Sequence, residues 1–297
     1  MAEGDKGEHS SLVVIVLDTN TSWWGSKQPE RGELEFSQCL DAVMVFANSH
    51  LMMNHKNRLA IIAAHSNEST FLFPNPANSN SNEHFVRDGR YELFSQVNET
   101  IKTKIKSIID GSSELYSDCL LAGALGMALC YAHRIEKECV IGEKLSSRIL
   151  VIKGSEDNPS QYMNFMNMVF TSQKQNIAID ACILENDSGL LQQACDITGG
   201  IYLKIIQPQG LLQYLLWVFL PDPDMRPKLA LPAPVPVDYR AACFCHRNLI
   251  DIGYVCSVCL SIFCTFSPIC STCHTTFKFK GPPKAMKRKS KKQMKAS

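Results

Sequence analysis

Four cysteines near the C-terminal end, Cys256, Cys259, Cys270 and Cys273, stand as two Cys-x2-Cys pairs with ten residues between them. Each pair can turn two thiolates toward one ion, and two such turns complete the tetrahedron that Zn2+ takes with sulfur. A metal held by four thiolates keeps no position open for water. The chemistry this spacing implies is therefore structural, and the zinc would fold a module instead of activating a substrate.

Cys243, Cys245, His246 and Cys264 flank and interleave with the first set. That order permits a second ion in a RING-like cross-brace, with His246 as one ligand. It equally permits one zinc and some leftover thiols. Tyr254 and Val255, just before the first pair, and Ile262, Phe263, Phe266 and Ile269, between the pairs, are expected to form a miniature apolar core. So small a core needs a metal to hold it. Of the 13 cysteines, six scatter between Cys39 and Cys195 and seven crowd between Cys243 and Cys273. Dense short spacings without a secretory signal point to metal in a reducing compartment and not to disulfides.

Other chemistry has little to stand on. The sequence holds no GxxxxGK[ST], no GxGxxG after a strand, no GxSxG and no HExxH. His50, His65 and His133 lack a companion motif and read as surface or satisfied core residues. The chain is expected to be no enzyme.

The elements that must position these residues follow from periodicity. Leu12–Leu17, Arg58–Ala64, Arg148–Ile152, Asn176–Leu184 and Ile201–Ile205 are apolar runs of strand length. Between them, Phe36/Leu40/Val43/Ala47/Leu51, Val97/Ile101/Ile105/Ile108, Leu121/Leu125/Ala128/Ala132 and Tyr162/Phe165/Met166/Val169/Phe170 repeat at helical spacing. Leu190–Asp196 is a short helix stopped by Gly199 and Gly200, and Leu211–Leu220 is a buried closing helix too short to span a bilayer. The fold class is α/β, a mostly parallel sheet flanked by helices, with a small C-terminal zinc-binding module.

Four stretches are predicted: a sheet domain over 1–220, a proline-rich linker over 221–240, a C4-type, RING-like zinc finger over 241–277 and a basic tail over 278–297. The linker carries six prolines and reads as stiff and extended. Pro74–Arg90, rich in Asn and Ser, reads as a surface loop. Residues 274–297 hold nine Lys or Arg and no acid, leaving 21 basic against 29 acidic residues elsewhere, a net of −8. The tail suits nuclear import or phosphate contact, and equally a solvated charge run.

Asp18-Thr19-Asn20-Thr21-Ser22 follows the first strand. With the Thr198–Tyr202 turn and the small-residue helix at Leu120–Leu129, it resembles a von Willebrand factor A domain, whose DxSxS loop holds Mg2+. Here Asn20 replaces the middle Ser, Lys153 follows RILVI where many such domains carry Asp, and Ser117, Asp118 and Cys119 lie where a loop Thr is expected. Mg2+ is accordingly not expected, and Asp18 and Ser22 are expected to cap turns and helix ends. Trp23 and Trp24 read either as an interaction hot spot or as a lid over the sheet.

YRAACFCHRNL (239–249), GYVCSVCLSIFC (253–264), QYMNFMN (161–167), LLQQACDITGG (190–200) and LLQYLLWVFLP (211–221) resemble the family of third subunits of general transcription factor IIH (TFIIH). The resemblance covers the whole chain. It implies a nuclear, non-enzymatic core subunit acting in RNA polymerase II initiation and nucleotide excision repair. It also implies a C4 zinc finger on Cys256, Cys259, Cys270 and Cys273. The implied partners are the larger von Willebrand A-containing subunit and the other core subunits, with the helicases reached indirectly and no membrane. Two other readings of the module stay open: a RING-type ubiquitin ligase, and direct DNA binding through the zinc module and basic tail.

Overall fold

The computed structural model describes residues 9–27, 34–74, 90–111, 119–139, 144–158, 161–233, 236–246 and 248–277. The loop residues 75–89, Ser117, Asp118 and the basic tail lie outside them. The chain divides into two compact units between Tyr239 and Arg240.

The first unit is built on the apolar run Leu12–Leu17, whose six side chains have no solvent exposure. Strand β1 (His9–Asp18) pairs in parallel with β2 (Arg58–Ala64) on one side and β4 (Lys144–Lys153) on the other. Strands β5 (Ala178–Ile183) and β6 (Tyr202–Lys204) extend the parallel set, and β3 (Ser69–Phe73) closes the far edge antiparallel to β2. The order is β3-β2-β1-β4-β5-β6. Alternate side chains of β1 face opposite layers. Leu12, Val14 and Val16 pack with helices α4 (Leu121–Glu138), α5 (Tyr162–Lys174) and α6 (Gly189–Thr198). Val13, Ile15 and Leu17 pack with α2 (Phe36–Met53), α3 (Arg90–Gly111) and α7 (Leu211–Tyr214), which a π-helical turn at Leu215–Phe219 continues. This is the expected mostly parallel sheet with helices on both faces.

Two elements were not expected. Strand β3 has only Leu72 fully buried, so its sequence shows neither a continuous apolar run nor clean alternation. The short helix α1 (Thr21–Gly25) is set by Asn20, whose side chain accepts from the amides of Ser22 and Trp23. The cap therefore falls on Asn20 and not on Ser22, which is exposed. Helix α6 ends as expected: Gly199 takes the left-handed φ of 71°, and Gly200 lies where a Cβ would come 1.9 Å from the Ile179 carbonyl oxygen.

The proline-rich segment is fastened along this unit, not free of it. Asp180, in the middle of β5, is buried, and the Arg226 guanidinium donates to both of its oxygens. Buried Arg148 of β4 donates to the carbonyls of Pro221 (2.5 Å) and Leu220 (2.8 Å) and lies 3.6 Å from Asp222. Gln193 holds the Asp238 carbonyl at 2.6 Å, and the Tyr239 hydroxyl donates to Asp196. A carboxylate inside an apolar strand needs a counter-charge, and the segment supplies it.

Arg226→Ala leaves Asp180 buried and unpaired. It should cost about 3–5 kcal/mol of stability in urea unfolding of the full chain; a loss below about 1 kcal/mol would contradict the fastening. A second prediction concerns pH. His50 on α2 is buried, and its Nε2–H donates to the Arg58 carbonyl at 3.2 Å. Burial, and then the Arg148 cation, lower its pKa from 6.5 to about 4. The folded state keeps it neutral while the unfolded chain takes a proton. Stability is thus full above pH 6.5 and falls by about 3 kcal/mol as the pH drops toward 4. His50→Gln should flatten that slope in urea midpoints measured across the window; an unchanged slope would show that another group sets it.

Candidate metal centres

The second unit is a chain of three tight turns. Strands β7 (Ala241–Ala242) and β8 (Leu249–Ile250) flank the first, and β9 (Tyr254–Val255) and β10 (Ile262–Phe263) flank the second. An antiparallel bridge between Ile269 and Thr276 closes the third. The two Cys-x2-Cys turns are built alike. The Cys256 amide donates to the Ser261 carbonyl and the Cys270 amide to the Thr275 carbonyl, both at 2.9 Å. The Leu260 and His274 amides return to the carbonyls of Cys256 and Cys270, again at 2.9 Å. Leu260 and His274, each just after the second cysteine, take left-handed φ values of 60° and 57°. Such a turn aims two sulfurs at one point.

The ligand atoms of Cys256, Cys259, Cys270 and Cys273 all lie within 4.8 Å of one another. Cys256 Sγ is 3.7 Å from Cys273 Sγ, and Cys259 Sγ is 3.6 Å from Cys270 Sγ. Four sulfurs at about 2.3 Å from one ion are about 3.8 Å apart, so the donor set fits tetrahedral zinc. Hydroxyls brace the thiols: Ser261 Oγ is 3.1 Å from Cys259 Sγ, and Thr275 Oγ1 is 3.2 Å from Cys273 Sγ. The Ser261 side chain and amide draw the Cys259 thiol down to about 6, and Thr275 lowers Cys273 in the same way. Both favour the thiolate that a metal needs.

Cys243, Cys245, His246 and Cys264 form a second group with ligand atoms within 4.8 Å of each other. Cys264 Sγ is 3.3 Å from Cys245 Sγ and 3.1 Å from His246 Nδ1. The Phe244 amide donates to the Ile262 carbonyl at 2.7 Å, tying the first turn to β10 and carrying Cys264 to it.

The expected miniature core needs correction. Only Phe263 of the six residues named is buried, with Phe244 and Phe277 partly buried beside it and the cysteines around them. Tyr254, Val255, Phe266 and Ile269 are exposed, as are Ile252, Val258 and Leu260. Strands two residues long cannot hide both faces, and the inward side goes to cysteine.

The loop after β1 is organised against a hard cation. The Asp18 carboxylate accepts from the amides of Asn20 (3.0 Å), Gly154 (3.3 Å) and Ser155 (2.9 Å) and from Ser155 Oγ (2.5 Å). That uses about all the acceptor capacity a carboxylate has. Asn20 is committed to capping α1, and buried Lys153 pairs with Asp157. Cys119 presents a thiol, which burial keeps protonated and which donates to the Ala64 carbonyl. The residues do not fit Mg2+. Trp23 packs so tightly over Gly154 that a Cβ there would lie 2.2 Å from its ring, and its Nε1–H donates to Glu185 at 3.0 Å. Trp24 donates to the Asp18 carbonyl at 2.9 Å. The pair covers the loop. His50 and His65 are buried with carbonyl partners, and His133 is exposed.

A family model described as transcription factor Tfb4 matches residues 10–274. General transcription and DNA repair factor IIH subunit tfb4 of Schizosaccharomyces pombe is 38% identical over 276 residues, covering 92% of this chain and 91% of that one. General transcription factor IIH subunit 3 of Dictyostelium discoideum is 43% identical over 263 residues, covering 82% of this chain and 69% of that one. The crystal structure of the TFIIH p34 N-terminal domain has a TM-score of 0.61 and 30% identity, covering 70% of this chain and 97% of that one.

Millimolar Mg2+ should leave the melting temperature of the full chain unchanged. Asp18→Ala should cost about 2–4 kcal/mol, with or without Mg2+, by orphaning buried amides. A Mg2+-dependent rise that the variant loses would contradict this account of the loop.

Proposed function

The chain belongs to the transcription factor Tfb4 family, and on that footing we propose that it is a structural, non-catalytic subunit of the TFIIH core, acting in the nucleus in RNA polymerase II transcription initiation and nucleotide excision repair. The observation that carries this reading is the family match over residues 10–274, which runs through both compact units. Relatives named as IIH subunits in a fission yeast and a slime mould support it along nearly the same length.

The local chemistry agrees with assembly. Cys256, Cys259, Cys270 and Cys273 would hold a structural zinc whose four thiolates close its coordination. The loop that could have held a hard cation spends its carboxylate on the chain's own amides. The zinc module instead offers contact surface: Ile252 is 88% exposed and Leu260 71%. Apolar side chains in such number on so small a unit suit a protein partner. We assign the docking to the larger von Willebrand A-containing subunit, with the other core subunits adjoining and the helicases reached through them. Residues 1–220 would act as the docking domain, 221–240 as its connection, 241–277 as the zinc finger and 278–297 as a tail for nuclear import. Neither ubiquitin transfer nor direct DNA contact has a specific observation in its favour among the described residues.

Affinity purification of the tagged full chain from nuclear extract tests the reading. TFIIH core subunits should co-elute in near-stoichiometric amounts and should be lost when residues 1–220 are deleted. A chain that elutes without them, or that keeps them all after that deletion, would overturn it.

A further inference from the structure

We infer that Cys243, Cys245, His246 and Cys264 hold a second zinc ion, through three thiolates and one imidazole, and that the two ions cross-brace residues 240–277 into one unit. Cysteine spacing alone hides a repeat. Cys243 and His246 stand two residues apart, the spacing of both Cys-x2-Cys turns with imidazole in place of the second thiolate. The backbone follows the same plan. The Cys243 amide donates to the carbonyl five residues on, Asn248, at 2.9 Å, as Cys256 does to Ser261 and Cys270 to Thr275. The first cysteine of all three turns is buried: Cys243, Cys256 and Cys270 are each no more than 1% exposed. The first turn is thus a third metal knuckle. Cys245 is an extra thiol within it, and β10 delivers the fourth ligand.

Separations within the group suit one ion. Cys245 Sγ to Cys264 Sγ is 3.3 Å and His246 Nδ1 to Cys264 Sγ is 3.1 Å. A tetrahedron with Zn–S at about 2.3 Å and Zn–N at about 2.0 Å has edges of about 3.8 and 3.5 Å, so these separations already lie slightly inside the spacing one ion would set. They are far too long for a disulfide, whose sulfurs lie about 2.05 Å apart. Three soft thiolates and an imidazole select zinc over oxygen-seeking cations. In chain order, three ligands of the new site precede the first pair of the other site, and Cys264 falls between that site's two pairs. Neither ion can then be surrounded without fixing the segment that serves the other.

The test is zinc content of the purified full chain, with no partner and no other ligand than the metal. The wild type should carry two zinc ions per chain after weak chelator washing, and Cys264→Ser should carry one. His246→Cys should keep two ions, and its cobalt-substituted form should move from a three-sulfur, one-nitrogen visible spectrum to a four-sulfur one. This second variant keeps the question open to refutation if Cys264→Ser fails to fold. One zinc in the wild type would overturn the inference. So would a Cys245–Cys264 disulfide found by non-reducing mass spectrometry, two ions retained by Cys264→Ser, or a cobalt spectrum unmoved by His246→Cys. None of these outcomes bears on whether the chain enters TFIIH, so the two proposals fail separately.

Discussion

Cysteine sulfur, more than hydrocarbon, fills the middle of the C-terminal unit, and the character of that unit depends on this. Among the described residues, its buried side chains are Cys243, Cys256 and Cys270, with Phe263 and Ser261. A single buried phenylalanine cannot offset the chain entropy of ordering nearly forty residues, which costs about 1–2 kcal/mol per residue for the backbone alone. Thiolate–metal bonds can, because metal binding in such units is folding free energy. With a metal to carry the fold, apolar residues would be released from core duty. Tyr254, Val258, Leu260 and Ile269 stand in solvent, open to contact.

The sheet unit solves a different problem by a related device. A parallel sheet with helices on both faces has apolar residues to spare, yet it buries Asp180 and Arg148 near its centre. Burying charge in that way contributes little net stability, but leaving either partner alone is costly. The outcome is positional: the segment after Phe219 must return along β4 and β5 to complete the cluster. At the end of β1, Asp18 plays a comparable part. Where an Mg2+ loop would need open oxygens, the carboxylate knits β1 to the turn after β4, and Trp23 lies over the joint. Hydrogen bonds, and not a metal, occupy the carboxylate there.

The parts legible in the sequence were those with strong periodicity or fixed spacing. Leu12–Leu17 and Arg58–Ala64 announce buried strands because both faces are covered, and the two Cys-x2-Cys pairs announce their turns. Strand β3 escaped because one buried leucine in five residues makes no pattern. Helix α1 escaped because an asparagine cap and five residues leave no periodicity to read. The fastening of the proline-rich segment was hidden because an arginine among prolines reads as solvated, and only the position of Asp180 across the sheet makes it a core residue. The knuckle-like backbone of the first turn was obscured by Cys245, which draws the eye to a Cys-x-Cys-His run and away from the Cys-x2-His spacing. The expected core of the module failed because sequence gives hydrophobicity without saying which face the sulfurs will claim.

We propose that metal, and not an apolar core, holds residues 240–277 while the sheet unit stands without it. Hydrogen exchange of the full chain, followed by mass spectrometry before and after stripping zinc with a strong chelator under reducing conditions, tests this most directly. Amide protection should collapse across the three turns, including Cys243, Cys256 and Cys270, and stay unchanged in β1, β2, β4 and β5. Protection that persists in the turns of the metal-free chain would contradict it.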